Sequence, residues 1–234
     1  DRSAKLPTGG YLEQADGTAW MALYCQNMLE IALELSLHDS TYEDLAGKFL
    51  EHFFWIAAAM DRVGDNQDEL WDEEDGFFYD LLRLPDGSAQ RIKVRSMVGL
   101  LPLCATTVVS REIIEKNPRF LERAREFLIR HKQILTTIHP PEKPGANDTR
   151  LLCILNEEKL RRVLARMLDE ERFLSPYGVR SLSKWHQEHP YVFSVHGEEF
   201  RVEYLPAESN TGMFGGNSNW RGPVWFPVNL LIIR

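Results

Sequence analysis

The sequence predicts an α-rich fold, a toroid or bundle of mostly antiparallel helices with short β-hairpins at their ends. Two long stretches of helical period open the chain, that period returns in three later segments, and no strand-helix alternation of a Rossmann or TIM type appears. At 234 residues, 44% apolar and 26% charged, the chain has globular proportions and is long enough to bury a sizeable core.

The elements follow in order. In "DGTAWMALYCQNMLEIALELS", Trp20, Tyr24, Met28, Ile31 and Leu35 recur at steps of three and four, which predicts one apolar helical face. Asp16 supplies a capping oxygen, with Thr18 in the first turn. "STYEDLAGKFLEHFFWIAAAMDRV" repeats the pattern with Tyr42, Leu45, Phe49, Phe53, Ile56 and Met60. Ser40 and Glu43 have the spacing of a capping box there. Together they predict an αα-hairpin. "ELWDEEDGFFYDLLRLPDGSAQRIKVRS" is acidic and aromatic, then alternates around "PDGS", the pattern of a two-stranded hairpin. Helical signals return over 96–105, 118–132 and 157–167. Residues 139–149, "HPPEKPGANDT", predict an exposed loop insertion. Short strands are expected near 191–195 and 199–204, and a last helix from about Pro223. No tandem repeat stands out, so a solenoid is disfavoured, and no clear boundary divides the single domain expected over 1–234.

Composition excludes several function classes. A net charge of −8 without a long basic run disfavours nucleic acid, whose binding needs clustered cations. No apolar stretch reaches the length of about 20 residues that a membrane span needs. Cys25, Cys104 and Cys153 are widely spaced in apolar surroundings, which predicts buried thiols and a reducing, cytoplasmic setting. GxxxxGK[ST], GxGxxG after a strand, HExxH and GxSxG are all missing. The seven histidines are scattered, and "DEEDG" at 72–76 lacks the spacing and closing Glu of an EF-hand. Neither a metal nor a cofactor is expected.

Chemistry concentrates in three polar aromatic junctions: "LEQADGTAW", "LWDEEDGFFYD" and "NSNWRGPVW". Indoles beside carboxylates, amides and a guanidinium suit a sugar, whose C–H faces stack on aromatic rings while its hydroxyls need planar hydrogen-bonding groups. The candidate binding residues are Gln14, Asp16 and Trp20 from the first junction, Trp71 and Asp75 from the second, and Trp220, Arg221 and Trp225 from the third. Gln14 and Asp16 would bind hydroxyls, the indoles would stack, and Arg221 would orient a carboxylate or a hydroxyl. Trp20 and Trp225 read equally well as core residues of helix faces.

Four segments, "GGYLEQADGTAWMALYCQNMLEIALELS", "LWDEEDGFFYD", "YGVRSLSKW" and "NWRGPVWFPVNLL", resemble successive motifs of glycoside hydrolase family 63 and the related mannosylglycerate-hydrolase-like catalytic domains. The Trp-Arg-Gly-Pro-Val-Trp run is the most specific of them. The resemblance implies an (α/α)6 toroid, an inverting mechanism and substrates with α-glucosidic or related α-linked bonds. Inversion needs a carboxylic acid and a carboxylate about 6.5–9.5 Å apart. The resemblance places the acid just before Asp1 and the base beyond Arg234, so no residue of this chain is expected to be catalytic. Asp16 then reads as a binding or structural carboxylate. Glu208 precedes the Trp-Arg-Gly-Pro run where the family's base follows it.

The expectation is therefore part of an (α/α)6 glycosidase domain that supplies helices and sugar-binding side chains and is inactive alone. Its partner is an α-linked sugar, and apolar faces left open by truncation would favour self-association. A carbohydrate-binding or scaffolding helical module without catalysis is the alternative from another class. A sugar epimerase, the third option, would need a pair of cavity-facing histidines.

Overall fold

A computed structural model describes residues 6–61, 69–136, 138–140, 143–205 and 222–234. The helices are α1 (Ala15–Ser36), α2 (Tyr42–Asp61), α3 (Arg111–Lys116), α4 (Pro118–Arg130), α5 (Glu157–Met167) and α6 (Phe226–Ile233). The strands are β1 (Tyr11–Glu13), β2 (Trp71–Asp72), β3 (Phe77–Phe78), β4 (Asp80–Arg83), β5 (Ala89–Ile92), β6 (Thr106–Val109), β7 (Arg150–Cys153), β8 (Leu174–Ser175), β9 (Gly178–Val179), β10 (Tyr191–Val195) and β11 (Glu198–Val202).

The fold is mixed α/β and not the expected all-α toroid: 48% of it is helix and 21% strand, the latter in five small antiparallel sheets. Two physical causes stand behind the correction. β6 and β7, "TTVV" and "RLLC", pair in register from Thr106↔Cys153 to Val109↔Arg150, and such a distant pairing leaves no turn signature in the sequence. The 96–105 stretch holds only two 3-10 turns, Met97–Gly99 and Leu101–Cys104, because Pro102 cannot donate to a helical ladder.

The chain forms two compact units. The first comprises 1–16, 63–101 and 161–234, and the second 17–62 and 102–160.

In the first unit, β1, β4 and β5 form a three-stranded sheet in that order, with Leu12 opposite Leu82 and Leu82 opposite Gln90. The expected hairpin around "PDGS" is the β4–β5 pair. Three two-stranded ribbons accompany it: β2–β3, β8–β9 and β10–β11. The last falls where strands were expected. The aromatic segment 77–79 is wholly buried, and Phe77 stacks on Phe173 with ring centroids 5.6 Å apart.

The second unit is built on apolar packing. Phe54 stacks on Phe127 at 5.9 Å, joining α2 to α4, and Phe53, Leu29 and Ile134 are also buried. Ser110 caps α3 through its hydroxyl, which accepts from the Ile113 N–H at 3.3 Å. Pro118 opens α4. α1 buries a different face from the one its long apolar residues suggest. Ala19, Ala22, Leu23, Gln26, Leu29 and Leu33 are inside, whereas Tyr24 and Ile31 are 53% and 52% exposed. The small side chains Ala19 and Ala22 are turned inward, and the bulky Tyr24 and Ile31 are left on the surface. The Ser40–Glu43 box is replaced as well: the Asp39 carboxylate accepts from the N–H and hydroxyl of Thr41 at 2.9 and 2.8 Å, ahead of a helix that begins at Tyr42.

Residues 143–148 are exposed, as expected of the 139–149 loop, and enclose one 3-10 turn, Ala146–Asp148. Cys25, Cys104 and Cys153 are buried free thiols. Burial pushes the Cys104 thiol up to about 12. No helix among the described residues is long and apolar enough to cross a membrane.

Candidate functional site

The β2–β3 turn places a dense polar cluster in the first unit. Asp72 accepts through Oδ1 from the Asp75 N–H at 2.8 Å, and its carbonyl accepts from the Gly76 N–H at 2.8 Å. Gly76 sits at φ +59°, in the left-handed region where glycine carries no steric penalty. The tightened turn brings Asp75 to the segment that follows β5. There Lys93 and Arg95, two residues apart on one side of extended chain, meet it.

Asp75 is held from three sides. Arg95 Nη2 lies 2.8 Å from Oδ1, and Oδ2 accepts from the Tyr79 hydroxyl at 2.9 Å and lies 3.2 Å from Lys93 Nζ. Lys93 also reaches Asp72 Oδ2 at 2.9 Å. Desolvation raises the Asp75 carboxyl, but the Tyr79 hydrogen bond, Lys93 and Arg95 outweigh it and hold the group below the usual carboxylate range. Burial, with Asp75 beside it, pushes the Tyr79 phenol well above its ordinary value, so it stays a donor. Asp72 and Asp75 of "DEEDG" are thus paired with cationic side chains. Among the described residues no group of three or more His, Cys, Asp and Glu could hold a metal.

Arg95 extends the cluster. Its guanidinium lies 4.6 Å from the Trp185 ring centroid, and its backbone N–H donates to His186 Nε2 at 2.8 Å. Because that N–H can only donate, Nε2 must be the acceptor, so Nδ1 carries the proton and donates to the His189 carbonyl at 2.8 Å. Burial lowers the His186 pKa, helped by Arg95 and partly opposed by the His189 carbonyl, and the ring is neutral. The Trp185 indole stacks on the His189 ring at 3.8 Å and stays 36% exposed. An aromatic surface beside a fixed carboxylate, a phenol and two cations can bind a polyol through both its faces and its hydroxyls.

The closing segment is stitched to the 176–185 loop. Arg180 bridges Val224, and the Ser181 N–H donates to the Pro223 carbonyl at 2.8 Å. Asn229 Oδ1 accepts from the Val179 N–H at 2.7 Å while its Nδ2 donates to the Val179 carbonyl at 3.2 Å and the Trp225 carbonyl at 2.9 Å. Gly178, at φ +126°, makes this approach possible, since a Cβ there would lie 2.8 Å from Asn229 Oδ1.

The expected binding residues separate on this frame. Trp71 is 1% exposed, its ring against Phe78 at 4.8 Å and its Nε1 donating to Glu73 Oε2 at 2.6 Å, so it serves the hairpin and has no free face for a sugar. Asp75 is at the heart of the cluster. Gln14 is half-buried and Asp16 buried at the start of α1, where the Asp80 carboxylate, not Asp16, accepts from the Ala15 N–H at 2.8 Å. Trp225 is half-buried and precedes α6, whose proline is Pro227 in place of Pro223. Trp20 is half-buried on α1 in the second unit. Trp220, Arg221 and Glu208 lie outside the described residues.

Lys93, Arg95, Tyr79 and Trp185 are not among the residues that the sequence singles out. The signal available for two of them was "KVRS", cations at alternate positions just after a hairpin that starts with an acidic turn. Trp185 stood inside the quoted "YGVRSLSKW".

No family model matches the chain. The chain is 46% identical over 246 residues to an uncharacterized protein of Saccharomyces cerevisiae, a match that takes in 100% of this chain and 22% of that protein. It therefore spans about a fifth of the relative's length.

Proposed function

We propose that this chain is part of an inverting glycoside hydrolase acting on α-linked sugars, to which it supplies sugar-binding side chains and not the reacting acid and base. One observation supports the reading most. The four segments that carry the family resemblance lie apart in sequence, yet the described residues of three of them, together with the start of the remaining one, fall in the first unit, each tied by specific polar contacts. β1 is fastened to β4 by the Glu13–Arg83 ion pair at 3.1 Å, the acidic turn to Arg95, and the 176–185 loop to the closing segment by Asn229. Asp75, kept ionised between cations, is suited to accept from a sugar hydroxyl and unsuited to give a proton to a leaving oxygen, which requires a raised pKa. Trp185, 36% exposed with His189 and Arg95 against its ring, stands beside Asp75, and on the family resemblance alone Trp220, Arg221 and Trp225 are the closing segment's sugar-binding candidates.

Hydrolysis of α-linked glucosides and mannosides, with the product anomer followed by NMR, tests this on the 234-residue chain and the full-length yeast relative. Turnover with inversion by the longer protein alone is the expected result. Retention of configuration by either protein, or turnover by the 234 residues alone, would overturn it.

The non-catalytic alternative has one observation in its favour. Asp75, the carboxyl at the centre of the cluster, is ion-paired with Arg95 and Lys93 and held below the usual carboxylate range. That suits binding. Sugar binding by the full-length relative with no hydrolysis of any substrate would favour this second reading.

A further inference from the structure

The first unit holds an open cavity of about 290 Å³, lined by Arg162, Ala165, Arg166, Asp169 and Arg172. Three of these residues fall at steps of three, four and seven from Arg162, so α5 and the residues after it present them on one face. Three guanidiniums and one carboxylate leave the lining with an excess of positive charge. Asp169 is already engaged: its Oδ1 accepts from the Glu171 N–H at 2.9 Å and its Oδ2 lies 2.9 Å from Arg172 Nε. Arg162 meets the Glu73 carboxylate and main chain.

Arg172 is the unexplained member. Its Nη1 is shut from solvent and has no hydrogen-bond acceptor among the described residues, although the side chain as a whole is 27% exposed. A buried donor without an acceptor is costly, and for a guanidinium more so. Burial and the neighbouring Arg95 charge both act against the cation, lowering its pKa. An anion in the cavity would offset the neighbouring Arg95 charge, although Nη1 itself is closed off from it.

We propose that this cavity binds a phosphate-type oxyanion, held by Arg166 and Arg172 with Arg162 at its edge. Guanidinium forks match the paired oxygens of phosphate, and the volume admits a phosphoryl group with the first part of whatever carries it. The proposal does not depend on glycoside hydrolysis.

Inorganic phosphate is titrated into the 234-residue chain by calorimetry and thermal unfolding, against sodium chloride at equal ionic strength, with glucose 6-phosphate in a parallel arm. Phosphate is expected to raise Tm where chloride does not, and Arg166→Gln to weaken phosphate binding by about tenfold or more. Glucose 6-phosphate binding about tenfold tighter than phosphate would identify a sugar-borne phosphoryl group as the ligand, whereas equal affinity would identify free phosphate. Arg172→Lys, which keeps the charge and removes the fork, should weaken binding as well. Should that variant fail to fold, Arg166→Gln decides alone. Equal Tm in phosphate and chloride, or unchanged phosphate binding by Arg166→Gln, would overturn the proposal.

Discussion

The two units use different means of holding together. The second relies on apolar side chains that fill space, such as Phe53, Phe54, Leu29 and Ile134, where shape and volume matter and chemical identity less. The first adds designated polar partners: Glu13 with Arg83, Asp75 with Arg95 and Tyr79, His186 with the Arg95 N–H, Asn229 with both backbone groups of Val179. A filled core tolerates an isosteric exchange, whereas a polar partner serves one geometry. The second unit has such partners too, Ser36 with Asn117, Thr107 with Glu30 and Arg123 with Glu51, but only in the first do they surround the candidate site.

Truncations should not separate the units, but conservative exchanges should. Phe54→Ala is expected to cost about 3–5 kcal/mol, the usual range for emptying a buried aromatic position, measured by urea unfolding. Arg83→Ala should approach it at about 3 kcal/mol, because it leaves Glu13 charged at 14% side-chain exposure without its partner. The sharper contrast is Leu29→Met against Arg83→Lys. The first should cost less than about 1.5 kcal/mol. The second should cost more than the first, since a single ammonium cannot replace two nitrogens of which Nη2 reaches the Glu13 carboxylate and Nη1 the Gly87 carbonyl. Equal losses would erase the distinction drawn between the units.

Gly178→Ala comes next, at about 1–3 kcal/mol for a side chain forced into an unfavourable φ, together with a weakened Val179–Asn229 clamp. Thermal unfolding reads it directly. A pH dependence then belongs to the first unit. The His186 pKa is lowered in the folded chain, so between its folded value and the ordinary 6.5 the unfolded state binds more protons. Stability contributed by neutral His186 is therefore full above 6.5 and is lost as pH falls below it. His186→Gln should flatten that part of the stability profile, and an unchanged slope would remove His186 as its cause. The smallest effect is expected from Ile31→Ser, within about 0.5 kcal/mol because the residue is on the surface. A large loss would restore the bulky stripe of α1 as its buried face. With self-association proposed through open apolar surface, the same variant should shift the sedimentation profile toward monomer.

Long periodic segments were legible. α1, α2, α4 and α5 lie where the three-to-four spacing puts them, and the "PDGS" and 191–204 hairpins announce themselves through local turns. What escaped depended on partners distant in sequence. The face of α1 was misjudged because periodicity ranks residues by hydrophobicity, while the folded chain turns Ala19 and Ala22 inward and leaves Tyr24 and Ile31 outside. β6 and β7 carry no mark of each other. At the site, the acidic turn was visible but its cations were not, since nothing in "KVRS" says which carboxylate it will meet. Trp71 shows the converse. Its polar neighbours suggested an open indole, yet they are the groups that let it be buried: Glu73 satisfies its N–H.

The order of the chain segments has a consequence for synthesis. Every residue of the second unit has been joined to the chain once Leu160 is made, but the first unit draws on residues as late as 161–234. During translation the helical unit can close as soon as Leu160 has cleared the ribosome, while the β1–β4–β5 sheet waits for its remaining neighbours. Asn229, 50 residues further along the chain than Val179, clamps it and so completes the 176–185 loop late. A nascent chain arrested once Leu160 has cleared the ribosome would hold a folded helical unit and an unfinished site, and a chaperone would meet the unpaired strand edges of the first unit in that interval.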